Sequence, residues 1–221
     1  MRIFALILSS LALALPASAG QEFRLWSEAG IRVKVAKRLR LEFDGHLRLE
    51  KNLSVVDSLM PELSVSYRAA KFLRLEAGFR YIAEPIESLE DTYLESWYRF
   101  FAGARLSHRM KPVTLKYRLR FEEEFGWPWR KDEALTAKHT VRNLFGAEVR
   151  LPGGFVPNLS GELFLRIADP DGPLHKWRAT AGLDWEIGRH TLSLYYRLED
   201  PLGDAEDPTR HILGTGYHYS F

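Results

Sequence analysis

The stretch LRLEFDGHLRLE, residues 39–50, decides the fold class of this chain. Apolar residues occupy its odd positions, apart from Gly45, and charged residues or histidine occupy its even positions. Successive side chains of a β-strand point to opposite faces, so this alternation predicts a strand with one apolar and one charged face. Its 12 residues are about twice the usual length of a strand in a soluble protein, and a tilted strand needs about this length to cross a membrane.

The same alternation recurs along the rest of the chain. With residues 39–50 it gives eleven candidate strands, the other ten being 23–35, 62–68, 73–81, 94–106, 113–122, 141–151, 159–168, 177–187, 190–199 and 210–221. The connections between them alternate between short and long, as in bacterial outer-membrane barrels with short periplasmic turns and long outer loops. The sequence therefore predicts an all-β fold, an antiparallel up-and-down transmembrane β-barrel of about 10–12 strands.

The alternation of short and long connections also raises a question about the number of strands. Short turns are expected at 37–38, 107–112 and 188–189, and long loops at 51–58, 84–92 and 125–137. Bacterial single-chain barrels usually have an even number of strands, and counting back from a periplasmic C-terminus puts the start of segment 23–35 on the outer side. Either this strand is reached through the interior, or the count is wrong by one.

The N-terminal segment has the features of a secretory signal peptide. Arg2 precedes an apolar run, and Ala17-Ser18-Ala19 matches the small-residue cleavage pattern. The run is shorter than the roughly 18–20 residues that cross a bilayer as a helix. We therefore expect residues 1–19 to be removed and residues 20–221 to form the barrel. The chain contains no cysteine, so disulfides cannot stabilise the exported protein.

Composition and motifs exclude several classes of function. The formal net charge is only +2, which provides no field for gathering nucleic acid, and we expect no nucleic-acid partner. No metal-ligand or phosphate-loop motif is present, so we expect no cofactor and no metal. No catalytic constellation is evident either, and the chain is predicted not to be an enzyme.

The C-terminal stretch GTGYHYSF, residues 214–221, ends on an aromatic residue with further aromatics at alternate positions before it. This pattern resembles the C-terminal signal by which the barrel-assembly machinery recognises its substrates. The predicted signal comprises Gly216, Tyr217, Tyr219 and Phe221. With the signal peptide and the long strands, it indicates an integral protein of the bacterial outer membrane, surrounded by lipid and lipopolysaccharide and dependent on that machinery during biogenesis.

The opening FRLWSEAGIRVKVAKRLRLEFDGHLRLEKN, residues 23–52, resembles a family of outer-membrane barrels known as domain of unknown function 2490. The early Trp26 and the short turn into a strand rich in arginine and glutamate carry the resemblance. It implies a barrel in the outer membrane, and it implies no activity and no catalytic residues.

The charged series of the strands is expected to face the interior of the barrel. Opposite charges occupy neighbouring inward positions, so the side chains are expected to fill a narrow interior as structural ion pairs. An arginine-lined passage for a small anion is the alternative. The predicted interior charges are Arg40, Glu42, Arg48, Glu62, Arg68, Arg74, Glu76, Arg80, Glu95, Arg99, Arg118, Arg120, Glu122, Arg142, Glu148, Glu162, Arg166, Arg178, Asp184 and Arg197.

Three smaller features leave further alternatives open. Only His46 and His218 lie in inward series; the spacing of His218 and Ser220 allows a membrane-embedded lipid hydrolase, against the simpler expectation of polar residues exposed at the periplasmic rim. Acidic residues of the long loops are expected to be solvated, with divalent-cation bridges to lipopolysaccharide as the alternative. Trp127 and Trp129 are interpreted as interfacial anchors or as a platform for a sugar.

Overall fold

The computed structural model describes residues 22–87, 92–126, 137–167, 173–202 and 209–221. The expected signal peptide, Trp127 and Trp129, and much of the acidic long connections lie outside these residues. No helix in the described part of the chain is both long and apolar enough to cross a membrane.

The described residues form eleven β-strands and one short 3-10 turn, η1, and the strands make a closed barrel. The strands are between 11 and 19 residues long. In chain order the elements are β1 (Glu22–Lys34), β2 (Leu39–Glu50), β3 (Val55–Arg68), β4 (Leu73–Glu87), β5 (Thr92–Met110), β6 (Val113–Gly126), β7 (Ala137–Val149), η1 (Pro152–Gly154), β8 (Phe155–Arg166), β9 (Leu174–Ile187), β10 (His190–Pro201) and β11 (Arg210–Ser220).

The barrel closes through a parallel pair. Each strand is antiparallel to its neighbour in sequence, but β1 and β11 run in the same direction, with Trp26 opposite Gly214 and Gly30 opposite His218. An odd number of strands can close only if one pair is parallel. The segment that made the sequence count odd is therefore a strand of the barrel, and its start lies at the end that carries the long connections.

Several strands extend into segments that the sequence assigned to connections. β3 begins at Val55 and β4 ends at Glu87, so the connections predicted at 51–58 and 84–92 are too long, as is the one predicted at 107–112, because β5 continues to Met110. At β3 the cause is a register shift between Arg48 and Leu49 of the partner strand. Such a bulge adds a residue on one strand and breaks the alternation on which the prediction depended.

The two faces of the wall differ as the alternation predicts. Large apolar side chains are exposed on the outer face, among them Leu63 (54%), Phe145 (61%) and Leu159 (63%). The inner face carries buried charged side chains, including Glu62, Arg142 and Glu199. It also carries buried apolar side chains, of which the sequence analysis named Trp26 alone, for the family resemblance: Trp26, Met60, Ile82, Phe101, Val156, Phe164 and Ile212.

Candidate functional site

The interior of the barrel is the candidate functional site, because side chains from strands on opposite sides meet there. A cavity of about 380 Å³ is lined by residues of nine strands, from Trp26 on β1 to Arg197 on β10. It lies toward the end with the long connections, where it reaches Lys138, Arg166 and His175. A second cavity, of about 210 Å³, lies nearer the short turns.

A chain of ion pairs, here called the wall network, runs across the inward face from β4 to β11. Arg120 joins Glu76 (Nη2 to Oε1, 2.8 Å), and Arg142 joins Glu122 (Nη1 to Oε1, 2.7 Å). Arg142 also donates from Nε and Nη2 to the two carboxylate oxygens of Glu162, at 3.0 and 2.9 Å. The network comprises Glu76, Arg99, Arg105, Arg118, Arg120, Glu122, Glu124, Arg142, Glu162, Lys176, Arg178, Glu199 and Arg210.

The geometry of the wall network explains how so much charge is buried. Arg142 is 8% exposed and presents its planar guanidinium to two carboxylates at once. Phe164 covers the network, with its ring centroid 4.6 Å from the Arg142 guanidinium and 4.4 Å from that of Arg178. The guanidiniums of Arg142 and Arg178 are thus paired with carboxylates and covered by the aromatic ring of Phe164.

Three arginines stand between the two cavities. Arg80, Arg118 and Arg120 line both of them. Arg80 is held by an ion pair with Glu62, and Arg118 Nη2 lies 2.7 Å from Glu162 Oε1. Because these side chains are fixed by carboxylates of the wall, they narrow the interior between its two ends.

The structure brings only some of the sequence-predicted interior charges into these pairs. Arg99 pairs with Glu124, and Glu148 pairs with Lys116 near the short turns. Arg40 and Glu42 form a long ion pair there (3.8 Å), while Arg74 donates to Ser66 and Asp184 accepts from Ser193. The remaining predicted residues lie at strand ends or in the cavities: Arg68 is exposed, Glu95 stands opposite Glu84, Arg166 donates to His175, and Arg48 and Arg197 flank Trp26.

Arg48 and Arg197 differ from the other interior arginines. The ion pairs formed within the described residues include neither of them, and both guanidiniums lie over the Trp26 ring, at 4.0 and 4.9 Å from its centroid. Among the described residues, eleven cationic side chains and four carboxylates line the cavity that both arginines face. The lining of this cavity therefore carries more cationic than anionic side chains.

A second group of charges lies where the barrel closes, and we call Glu28, Asp44, His46 and His218 the seam cluster. His218 Nε2 lies 2.8 Å from Glu28 Oε1 and 3.0 Å from Asp44 Oδ1. His46 Nδ1 lies 3.1 Å from the other oxygen of Glu28. The sequence analysis placed His218 at an exposed rim, and this is wrong: the residue is 6% exposed. The closure of β11 on β1 and β2 covers it.

The seam cluster also bears on the hydrolase alternative. The hydrogen bonds of the described residues join His218 to two carboxylates and to no hydroxyl group. A histidine that activates a serine must reach the serine oxygen. Among the described residues, the cluster therefore has the acidic partner of a catalytic histidine but no hydroxyl group in hydrogen-bond contact with it.

The aromatic residues of the C-terminal stretch lie on the outer face of β11. Tyr217 is 40% exposed, and Phe221 is 63% exposed and contacts Tyr219 edge to face. The backbone N–H of Phe221 donates to the carbonyl oxygen of Arg32 (2.8 Å), which anchors the chain end to β1. Gly216 lies on the opposite face and lines an interior cavity with Glu28 and His218.

The family described as "Protein of unknown function (DUF2490)" matches residues 23–199, from β1 into β10. The chain belongs to this family. Its fold is similar to that in the crystal structure of the β domain of the Bordetella autotransporter BrkA, with a TM-score of 0.50 and 14% identity over 85% of this chain and 86% of that one. At this identity the likeness concerns the fold alone. No curated protein matches the sequence.

These findings confirm two expectations from the sequence. The fold is an all-β closed barrel, and its eleven strands fall within the predicted range. The family resemblance noted for residues 23–52 extends over most of the chain. The family carries no assigned activity, so a functional conclusion has to come from the interior and the surface of the barrel.

Proposed function

We propose that the chain is an integral β-barrel of the bacterial outer membrane whose interior is narrowed by paired charges and whose role is structural. Residues 1–19 would serve as the signal peptide and residues 20–221 would form the barrel, in contact with outer-membrane lipid and lipopolysaccharide. The observation that carries this proposal is the reversed polarity of the wall, with large apolar side chains exposed outside and charges buried inside.

Exposing the apolar outer face to water costs free energy, and contact with lipid removes that cost. Burying apolar surface is worth roughly 25 cal/mol per Å², and side chains such as Phe43 (51% exposed) and Phe100 (48%) leave much of theirs uncovered. Soluble proteins rarely expose contiguous apolar patches of more than a few hundred Å². A lipid environment covers this face without any further protein partner.

The chain offers a direct test of the wall because it contains no cysteine. Leu159 and Ser160 are neighbours on β8; Leu159 is 63% exposed outside, and Ser160 lines the interior. Single cysteines at the two positions would be labelled with an environment-sensitive fluorophore in the protein refolded into vesicles. At Leu159→Cys we expect blue-shifted emission that nitroxide-labelled lipid quenches.

Ser160→Cys is the matched control, one residue away on the other face. Its label should be quenched by a small water-soluble quencher, or should fail to attach in the folded barrel, and lipid-borne nitroxide should have little effect. Equal lipid quenching at both positions, or none at either, would contradict the membrane-spanning proposal.

A second candidate function, passage or binding of a small anion, is supported by Arg48 and Arg197. Their guanidiniums face a cavity with many more cations than carboxylates, and arginines without carboxylate partners in a pore attract anions. In planar bilayers separating unequal KCl solutions, any residual current should then be anion-selective. Exchanging both residues for glutamine should reduce that selectivity, whereas a cation-selective current would contradict this candidate.

The proposed role of Gly216, Tyr217, Tyr219 and Phe221 as an assembly signal is supported by the outward aromatic row on β11. Deleting Phe221 should lower the amount of folded barrel in the outer membrane and leave precursor in the periplasm, while Phe221→Tyr should have little effect because it keeps the ring. Ser220→Ala is the control. Equal damage from Ser220→Ala, or unchanged levels without Phe221, would count against the signal.

A further inference from the structure

The seam cluster is built around a glycine. Gly30 on β1 stands directly opposite Asp44 on one side and His218 on the other. A methyl group at Gly30 would overlap the Asp44 carboxylate and approach the His218 ring to 2.9 Å. The absence of a side chain at this position is what allows Asp44 and His218 to meet above the β1 backbone.

Glu28 lies two residues before Gly30 on the same face and repeats the arrangement with different neighbours. It stands opposite His46 on β2 and opposite Gly216 on β11. Three strands therefore present two adjacent rows, each with one glycine, and the side chains of both rows converge. One oxygen of Glu28, one oxygen of Asp44 and one ring nitrogen of His218 all lie within 4.8 Å of one another.

The hydrogen bonds within the cluster cannot satisfy both carboxylates that converge on His218. His218 Nε2 lies within hydrogen-bond distance of Glu28 Oε1 and of Asp44 Oδ1, but a ring nitrogen carries at most one proton. One carboxylate oxygen must share that proton, and the two carboxylates bring like charges together in a buried site. A divalent cation in place of the proton would interact with all three atoms and neutralise both carboxylates.

We propose that Glu28, Asp44 and His218 form a binding site for a divalent transition-metal ion, with Zn²⁺ as the best match to the donor set. Imidazole and carboxylate are both zinc ligands, at about 2.0–2.2 Å, which corresponds to ligand separations of about 3.4 Å in a tetrahedral site. His218 Nε2 lies 2.8 Å from Glu28 Oε1 and 3.0 Å from Asp44 Oδ1, which is shorter than this. These side chains therefore need to move apart by only a fraction of an ångström.

His46 supports the site without being a ligand. Its Nδ1 lies 3.1 Å from Glu28 Oε2, the carboxylate oxygen that does not face His218. Outer partners of this kind fix the orientation of a metal-binding carboxylate. Three protein ligands leave one position for water, and cavities that reach Glu28 and His218 provide a route to the site from the interior.

The location gives the ion a structural role. The cluster joins β11, the last strand, to β1 and β2, the first two, across the one parallel pair. A bound ion would link residues 174 positions apart in the chain, namely Asp44 and His218. The site does not depend on whether the interior conducts, so it stands or falls separately from the proposed function.

The test is zinc binding by the untagged barrel, refolded in detergent after treatment with a chelator. Zn²⁺ would be titrated in competition with a fluorescent chelator, and we expect one high-affinity ion per chain. His218→Gln and Asp44→Asn should each weaken binding by more than about 100-fold, and His46→Gln by about 10–100-fold, as for other outer partners. Co²⁺ should give the intense visible absorption of a four-coordinate site, and Zn²⁺ should displace it.

Two variants serve as matched controls: His190→Gln, an exposed imidazole, and Asp184→Asn, an interior carboxylate outside the cluster. Both should bind Zn²⁺ as the unaltered chain does. Absence of binding, or equal binding in the cluster and control variants, which would mean an adventitious ion only, would overturn the proposal. If the cluster variants do not fold, as judged by heat-modifiable migration, a wild-type Co²⁺ complex without four-coordinate absorption would overturn it equally.

Discussion

The wall network and the seam cluster bury charge in the same barrel by different means. In the wall network, arginine forks join carboxylates on neighbouring strands, and Arg142 alone reaches both Glu122 and Glu162. In the seam cluster, two imidazoles and two carboxylates meet over the glycines of β1 and β11. Guanidinium stays charged at any physiological pH, whereas imidazole can lose its proton or bind a metal.

The difference follows from where the strands come from. The strands of the wall network, β4 to β11, are consecutive in sequence and each is antiparallel to the next, so long arginine side chains can span them in a fixed register. The seam joins strands from the two ends of the chain, and here the backbone approaches its neighbours' side chains closely enough to require glycine at position 30. The wall network is expected to hold the barrel firmly, and the seam cluster to be the adjustable part.

The largest effect should come from removing the centre of the wall network. Arg142→Met leaves Glu122 without its closest cationic partner and removes one of the two close cationic partners of Glu162, in a site that is less than one-tenth exposed. Breaking a buried pair in this way typically costs about 3–5 kcal/mol. The free energy of unfolding in urea, measured on the barrel refolded into vesicles, should fall by that amount.

A double variant tests whether the loss is due to charge. Replacing Glu122 with glutamine in the Arg142→Met background removes the carboxylate that has lost its closest partner. Arg99 and Arg120 keep Glu124 and Glu76 as partners, so much of the lost stability should return. A loss below about 1 kcal/mol in Arg142→Met, as for an exposed pair, would mean that the wall network does not differ from surface charge.

A smaller loss is expected at the seam. Gly30→Ala places a methyl group where the Asp44 carboxylate lies and should force Asp44 and His218 apart. Overpacking of this kind costs about 1–3 kcal/mol. Gly45→Ala is the control in the adjacent strand, since a methyl group there would have its nearest neighbour at 3.8 Å. Equal unfolding free energies for the two variants would show that the seam is not closely packed.

The smallest effect should come from a pair of the same chemistry at the surface. Arg150 follows β7 near the short turns and pairs with Glu186, with side chains 46% and 39% exposed. Water screens such a pair, and its loss in Arg150→Met should cost at most about 1 kcal/mol. The same urea titration measures it. A cost equal to that of Arg142→Met would remove the distinction between buried and exposed arginine pairs.

The sequence predicts the wall better than the seam for a physical reason. Alternation is a local property, so the strands and their two faces could be found from residues such as those at 39–50. The length of β3 was underestimated because a bulge shifts the register near Leu49. The parallel pair could not be predicted, since the chain ends that form it are not joined by a turn.

The candidate site was likewise predictable only where it depends on local alternation. Inward arginines and glutamates could be listed from the alternation, but their partners depend on register across several strands. Trp26, Phe101 and Phe164 fall in inward series. Because they are apolar, the sequence did not indicate that their rings contact arginine guanidiniums. His218 was placed in the correct series and in the wrong environment, because only the closed barrel brings β11 beside β1.

The conductance of the purified protein in planar bilayers tests the central claim most directly. Because Arg80, Arg118 and Arg120 stand between the cavity toward the long connections and a cavity nearer the short turns, the unaltered barrel should insert and show current steps far smaller than those of a general porin under the same salt conditions. Exchanging Arg118 and Arg120 for glutamine should increase the steps or destabilise the barrel. Large, steady channels in the unaltered protein would contradict an interior narrowed by paired charges.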